Sequence, residues 1–303
     1  MATKYILYNP YAGNGKCQAG AEELQRTYEN AVLINMNRIS SYKVFFDGLE
    51  PDADIIICGG DGTLNRFAND TKGVNYPNKV YCYAMGTGND FLRDIGHGPL
   101  EKPDFCISEY LKNLPTVTVN GKESMFLNGV GYGIDGYCCE VGDMLREQNE
   151  KKKSDKPINY TAIAIKGLLF YFKPRNATVT VDGKDYSFKK VWIAPTMNGR
   201  YYGGGMMPTP KQDRLNKDNK LSLMLFHGSG KLKTLMIFPS LFKGEHVKHK
   251  KHITILEGKE ITVSFDSPTP LQIDGETVLG VTEYTVHAAP CTPVDAQPET
   301  ANA

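Results

Sequence analysis

The sequence predicts an α/β unit with a parallel sheet, followed by an antiparallel β-sandwich. Short apolar runs alternate with helix-forming stretches through the first third, as in a parallel sheet covered by helices. From about residue 116 strand patterns separated by turn dipeptides take over, as in a sandwich. The length of 303 residues accommodates two units of about 150. We expect the first over 1–115 and the second over 116–283, with residues 284–290 returning to the first. Residues 290–303 hold three prolines, few apolar side chains and no periodicity, and are expected to be disordered.

In the first unit, Tyr5-Ile6-Leu7-Tyr8 is a short strand ended by Asn9-Pro10. A loop follows at 13–16 and a helix at 19–28. Further strands are expected at 31–34 and at 54–58, the latter stopping at two glycines. A helix begins near Thr63, and a strand over 80–85 runs into Gly86-Thr87-Gly88. In such sheets ligands bind beyond the carboxyl ends of the strands, where these glycine loops fall. In the second unit, strands are predicted at 116–119, 177–181, 191–194, 221–226, 253–256 and 261–265. Asn120-Gly121 and Asp182-Gly183 are hairpin-turn signals between some of them. A helix over 158–172 interrupts the strands, and the charged stretch 147–157 reads as a mobile loop.

Composition narrows the function. A formal net charge of +1 argues against a strongly polyanionic partner such as nucleic acid. Seven cysteines (Cys17, Cys58, Cys82, Cys106, Cys138, Cys139 and Cys291) form no C-x-x-C pair and no zinc spacing, which fits a reducing compartment. The apolar stretch after Met1-Ala2-Thr3-Lys4 is too short for a signal sequence. No window approaches ~18 uninterrupted apolar residues, so no transmembrane segment is expected. A lipid substrate would therefore be met at the membrane surface, with the protein cytoplasmic or peripheral on the inner face. A homodimer stays open.

The sharpest motif is Gly59-Gly60-Asp61-Gly62-Thr63-Leu64-Asn65. A buried strand delivers the chain to glycines that turn sharply and admit a ligand close to the backbone. The helix that follows offers free N–H groups and a positive dipole end, which favour phosphate. Asp61 adds a carboxylate suited to a metal or a substrate hydroxyl. The plainer reading is a strand-turn-helix connection whose glycines serve geometry alone. The Walker A pattern G-x-x-x-x-G-K-[ST] is absent.

Other segments join this turn. They are Asn9-Pro10-Tyr11-Ala12-Gly13-Asn14-Gly15-Lys16, Gly86-Thr87-Gly88-Asn89-Asp90-Phe91-Leu92-Arg93, Phe126-Leu127-Asn128 through Gly133-Ile134-Asp135, and Asp274-Gly275-Glu276. In order and spacing the set resembles the diacylglycerol kinase catalytic domain family of bacterial lipid kinases, related to sphingosine and ceramide kinases and more distantly to NAD kinases. The resemblance covers about residues 4–287, with Met85 where the family commonly has proline. It implies an α/β ATP-binding domain, a β-sandwich, and ATP in the cleft between them. Asn9, Pro10 and Gly13, the turn of Gly59, Gly60, Asp61, Gly62, Thr63, Leu64 and Asn65, and Thr87, Asn89 and Asp90 are implied to hold the nucleotide.

Phosphoryl transfer requires positioning, charge neutralisation and a base for the attacking hydroxyl. By resemblance Asp274 is that base with Glu276 as its partner, although Asp-Gly is also a common hairpin turn. Asp61 is the rival base, or the group that places Mg²⁺ on the phosphates. The resemblance also implies a second, structural ion at Asp218 and the Lys220 carbonyl, with Asp213 a looser candidate. Asp218-Asn219 stands there where the family has Asp-Gly, and a solvated turn is the alternative. The implied activity is an ATP-dependent lipid kinase with diacylglycerol as leading acceptor. The alternatives are an NAD kinase or other soluble-acceptor kinase, and a non-catalytic nucleotide- or lipid-binding module.

Three features stand apart. His246, His249 and His252 recur at a spacing that could suit a metal, but the surrounding lysines favour a solvated basic surface. That surface, like Lys151-Lys152-Lys153, could also meet anionic lipid. The apolar side chains of 158–172 read as core before membrane contact.

Overall fold

The computed structural model describes residues 2–85, 89–98, 102–152, 154, 156 and 158–289. Thr87, the third lysine of the 151–153 run, Cys291 and the tail 290–303 lie outside these residues.

Strands β1 (Lys4–Tyr8), β2 (Ala31–Asn35), β3 (Asp54–Gly59) and β4 (Lys79–Ala84) form a parallel sheet in the order β2-β1-β3-β4. Helices α1 (Cys17–Gln25), α2 (Tyr42–Asp47), α3 (Asp61–Asp70), α4 (Asp90–Asp94) and α5 (Ser108–Lys112) accompany it. β3 is apolar at successive positions because both its faces are covered. Ile55 and Ile57 pack in a cluster with Leu7, Phe46 and Phe67, whereas Ile56 and Cys58 pack on the other face with Cys17, Ala21 and Leu24. Each buried Leu, Ile or Phe among them stabilises the unit by about 1.5–3 kcal/mol.

The remaining strands pair antiparallel: β5 (Thr116–Val119), β6 (Lys122–Met125), β7 (Gly129–Tyr132), β8 (Arg175–Val181), β9 (Lys184–Val191), β10 (Thr196–Met197), β11 (Leu221–Phe226), β12 (Ile253–Gly258), β13 (Glu260–Ile273) and β14 (Glu276–His287). β13 pairs with β8 through residues 261–265 and with β7 through residues 271–273, bending between them at a register shift. The sheet curls, so that Val117, Val179 and Leu223, from strands far apart in its order, share one core cluster. Three two-residue hairpin turns have both residues at positive φ: Asn120-Gly121, Asp182-Gly183 and Asp274-Gly275. This is the turn whose twist matches the flanking strands.

The structure departs from expectation in several places. The expected loop 147–157 is instead helical as far as Lys151, the end of α6 (Ile134–Lys151). Glu147, Gln148, Glu150 and Lys151 are strong helix formers, and charge alone did not break the helix. The helix expected over 158–172 is α7 (Tyr160–Lys166) followed by a wider π-helical turn over Gly167–Tyr171. Only Val191 of the expected strand 191–194 belongs to a ladder strand; Ile193 makes isolated bridges. Residues 284–287 remain in β14 beside β5 and do not return to the first sheet. A further helix, α8 (Lys231–Ile237), precedes the histidine-rich stretch. His246 is buried there, its Nε2 2.8 Å from the Pro208 carbonyl, so it belongs to the interior and not to a basic surface. Among the described residues no group of three or more His, Cys, Asp or Glu side chains is gathered as a metal site.

Candidate active site

The chain leaves β1 on one side for β2 and returns on the other for β3, so the carboxyl ends of β1 and β3 lie at the switch point of the sheet. Tyr8 is in register with Cys58, which brings Asn9 beside Gly59. The Asn9 side chain accepts the Tyr11 N–H at 3.1 Å and tightens the turn through Pro10. Gly13 has φ +59°, and a Cβ there would lie 2.4 Å from the Met85 carbonyl oxygen. A larger residue would push this loop off the end of β4. A Cβ on Gly59 would strike the Thr63 side chain at 2.3 Å, so glycine lets the first turn of α3 fold back over the strand.

Within 59–65 the residues divide. Gly60 is the N-cap of α3 and Asp61 opens its first turn. Thr63 is buried against Gly59. Leu64, expected to contact nucleotide, instead packs in the core with Phe67 and Ile55. Asn65 is also buried, and its side-chain oxygen accepts from Asn69 at 3.0 Å. Asn69 then reaches the second sheet, donating to the Met125 carbonyl at 3.0 Å and accepting the Met125 N–H at 2.8 Å. Positions 64 and 65 lie past the open end of the helix, where side chains face the interior.

A chain of carboxylates crosses from one sheet to the other. Asp61 accepts the N–H groups of Asp90, at 2.8 Å, and Phe91, at 3.2 Å, and so caps α4 where the Asn89 side chain does not. Asp90 accepts the Gly204 N–H at 2.7 Å from the Gly203-Gly204-Gly205 loop. Asp94, at the other end of α4, is buried and paired with Arg200 at 2.7 Å and with the buried Arg214. Arg214 also donates to the Leu127 carbonyl at 2.6 Å and to the Asn128 side chain, and lies over the Phe91 ring. The N–H groups of Leu127, Asn128 (2.8 Å) and Gly129 (3.0 Å) all point at the carboxylate of Asp274.

Burial sets the electrostatics. It pushes Asp61 up to about 6, with the charge of Asp90 adding to the effect. The Asp274 charge raises Asp61 as well, so the two carboxylates share one desolvated region. Burial likewise raises Asp274, against the lowering by its three backbone donors, and raises Asp90. Glu276 is exposed and opens β14 on the far side of the turn. Thr277 ties that strand to α6 through a 2.6 Å bond to Asp143.

The expected structural ion site is not built as an ion site. The Lys220 carbonyl accepts from the side chains of Gln212 and Asn216, each at 2.9 Å, and Asp213 accepts the Leu215 N–H at 3.0 Å. Asp218 lies on the exposed side of the loop. The loop is held by amide donors, and its cation is the Arg214 guanidinium turned inward. Sequence reading passed over Arg214 and Asp94. Their signal was an arginine within the supposed acidic segment and an aspartate just past the motif that ends at Arg93. Neither is informative until the two segments meet.

Family comparison agrees with this geometry. Residues 3–119 match the model of the diacylglycerol kinase catalytic domain, and residues 130–293 match the YegS C-terminal NAD kinase beta sandwich-like domain. A candidate lipid kinase of Bacillus subtilis, YtlR, is 23% identical over 255 residues, covering 78% of this chain and 77% of that one. A diacylglycerol kinase of Mycobacterium tuberculosis is 24% identical over 200 residues, covering 64% of this chain and 61% of its own length. The crystal structure of a candidate diacylglycerol kinase from Bacillus anthracis superposes with a TM-score of 0.64 at 18% identity, covering 94% of this chain and 91% of that one. That last likeness concerns the fold alone. With a phosphate-type glycine turn at a sheet switch point in the segment that matches the diacylglycerol kinase catalytic domain, and more than half of its length matched by the second model, this chain belongs to the family of the YegS C-terminal NAD kinase beta sandwich-like domain.

Proposed function

We propose that this protein transfers the γ-phosphoryl group of ATP to the hydroxyl of a membrane-derived lipid alcohol, with diacylglycerol the first candidate. The observation that carries the reading is the pair Asp61 and Asp274, both partly buried, one held at the first turn of α3 by the N–H groups of Asp90 and Phe91 and the other in the hairpin turn before β14 by three backbone N–H groups. The ATP phosphates sit on the first turn of α3, where N–H groups and the helix dipole favour anions. Asn9, Gly13, Gly59 and Gly60 form the cradle around them.

Asp274 acts as the base. A carboxylate has about four lone-pair positions, and three are used by Leu127, Asn128 and Gly129. The remaining one, on Oδ2, receives the acceptor hydroxyl. As that oxygen attacks the γ-phosphorus, its proton passes to Asp274, the bond to the bridging oxygen breaks, and ADP leaves. Burial strengthens the base by disfavouring its charged form. Asp61 uses one lone pair of each oxygen to cap α4 and keeps the others for the phosphate end. Mg²⁺ takes oxygen ligands, and Asp61 and Asp90 fit it by donor chemistry; when bound, the ion neutralises phosphate charge. Glu276 assists at the solvent side of the acceptor.

The test is a panel of lipid alcohols, NAD and water as acceptors, with labelled ATP and Mg²⁺. Steady transfer to one lipid class is expected. Transfer to NAD instead would move the protein to a soluble-acceptor kinase, and no transfer would make it a binding module.

A further inference from the structure

Two neighbouring elements of the second half leave large apolar side chains in solvent. Phe170 and Tyr171, in the π-helical turn after α7, are 71% and 68% exposed. Leu232 and Met236 on α8 are 74% and 75% exposed, and at i and i+4 they share one helix face. The two elements touch: Lys231 donates to the Leu169 carbonyl at 2.7 Å. The patch therefore joins a turn and a helix, with two aromatic rings 6.3 Å apart at one end.

The two segments that carry the patch bear charge of one sign. Residues 158–174 and 230–243 contain Lys166, Lys173, Lys231, Lys233 and Lys243 and no aspartate or glutamate, in a chain whose total is only +1. All five lysines are exposed. Exposed apolar side chains on segments that carry only lysine charges complement an anionic bilayer, where the rings and aliphatic groups enter the headgroup boundary and the ammonium groups meet phosphate.

We infer that the Phe170–Tyr171 turn and the exposed face of α8 form a docking surface for an anionic phospholipid bilayer. The location suits the lipid acceptor of the proposed reaction, on which this purpose rests. Gly167 packs against Tyr137 near the start of α6, and Asp143 of the same helix holds Thr277 beside the Asp274 turn. The six-position step from Tyr137 to Asp143 spans about 9 Å of helix. A bilayer held on the patch would thus lie near the acceptor carboxylate.

The experiment uses the full chain with phosphatidylcholine vesicles, with and without phosphatidylglycerol, in a sedimentation assay. Binding is expected only with the anionic lipid, and it should weaken with salt. Leu232→Ser with Met236→Ser, and separately Lys231→Glu with Lys233→Glu, should each lower vesicle affinity by roughly tenfold or more at unchanged melting temperature. Lys43→Glu, far from the patch, should change nothing. Unaltered binding in both patch variants, or equal binding to neutral vesicles, would overturn the inference. So would a solution dimer that the same variants dissolve, because a second copy would then be the occupant. A water-soluble short-chain acceptor separates this from the proposed reaction: patch variants should phosphorylate it at the wild-type rate while failing on vesicles. If wild type phosphorylates no acceptor, the reaction fails and the vesicle result still decides the surface.

Discussion

The two walls of the candidate site hold a carboxylate by different means. On the parallel-sheet side, Asp61 stands at the opening of α3 and accepts from the first turn of α4, so two helix ends and the residues between them build the wall. On the antiparallel side, Asp274 sits at φ +46° in a hairpin turn and is held by three consecutive N–H groups from residues about half the chain away. The first wall is assembled from segments following adjacent strands. The second exists only after β7, β13 and the Arg214 loop have come together. A local wall announces itself as a motif, whereas a long-range wall shows only one of its members.

Arg214 is where this contrast is most easily broken. It joins Asp94 of the first wall to Leu127 and Asn128 of the second, fully out of water. Arg214→Ala leaves Asp94 with the half-exposed Arg200 alone, and should cost about 3 kcal/mol or more in urea unfolding. A loss below ~1 kcal/mol would mean the two walls are held by packing and not by this cation. Next in size, Asp274→Asn should lower turnover by at least ~10²-fold while leaving ATP binding intact. An unchanged rate would transfer the base to Asp61.

The Asp61 carboxyl provides a third, pH-dependent comparison. Its folded pKa, about 6, lies above that of an unfolded aspartate, so the native state binds the extra proton. Its contribution to stability is fully present below about pH 4 and is lost as the pH rises through about 6. Wild type should therefore fall by roughly 2 kcal/mol relative to Asp61→Asn between pH 4 and pH 7, in paired denaturation curves. A flat difference would place Asp61 in contact with water. The smallest effect belongs to Asn69, which bonds Met125 across the sheets from within α3. Asn69→Ala should cost about 1–2 kcal/mol and spare the chemistry. A large loss of turnover there would show that α3 itself must be aligned from the second sheet.

Where reading by sequence fell short, the cause was the weight given to local character. Glu147 to Lys151 look like a charged loop, yet their helix propensity continued α6 because α6 already existed to be extended. Leu64 and Asn65 belong to the motif string by proximity, but a turn of helix rotates them into the interior. The segment 213–220 resembles an ion loop, but Gln212 and Asn216 satisfy its carbonyl and Arg214 supplies the cation.

The sequence by itself determined the two fold classes, the strand-to-glycine-turn-to-helix connection after β3 and the hairpin at Asp274-Gly275, because periodicity, glycine conformation and turn chemistry act over a few residues. Only the tertiary structure decided which backbone donors hold Asp274, that Asp94 and Arg214 join the walls, and that Phe170, Tyr171, Leu232 and Met236 face outward together. These depend on contacts between residues far apart in the chain. Whether a buried charge is paired, or an apolar side chain covered, is settled only when the segments that would pair or cover it have packed.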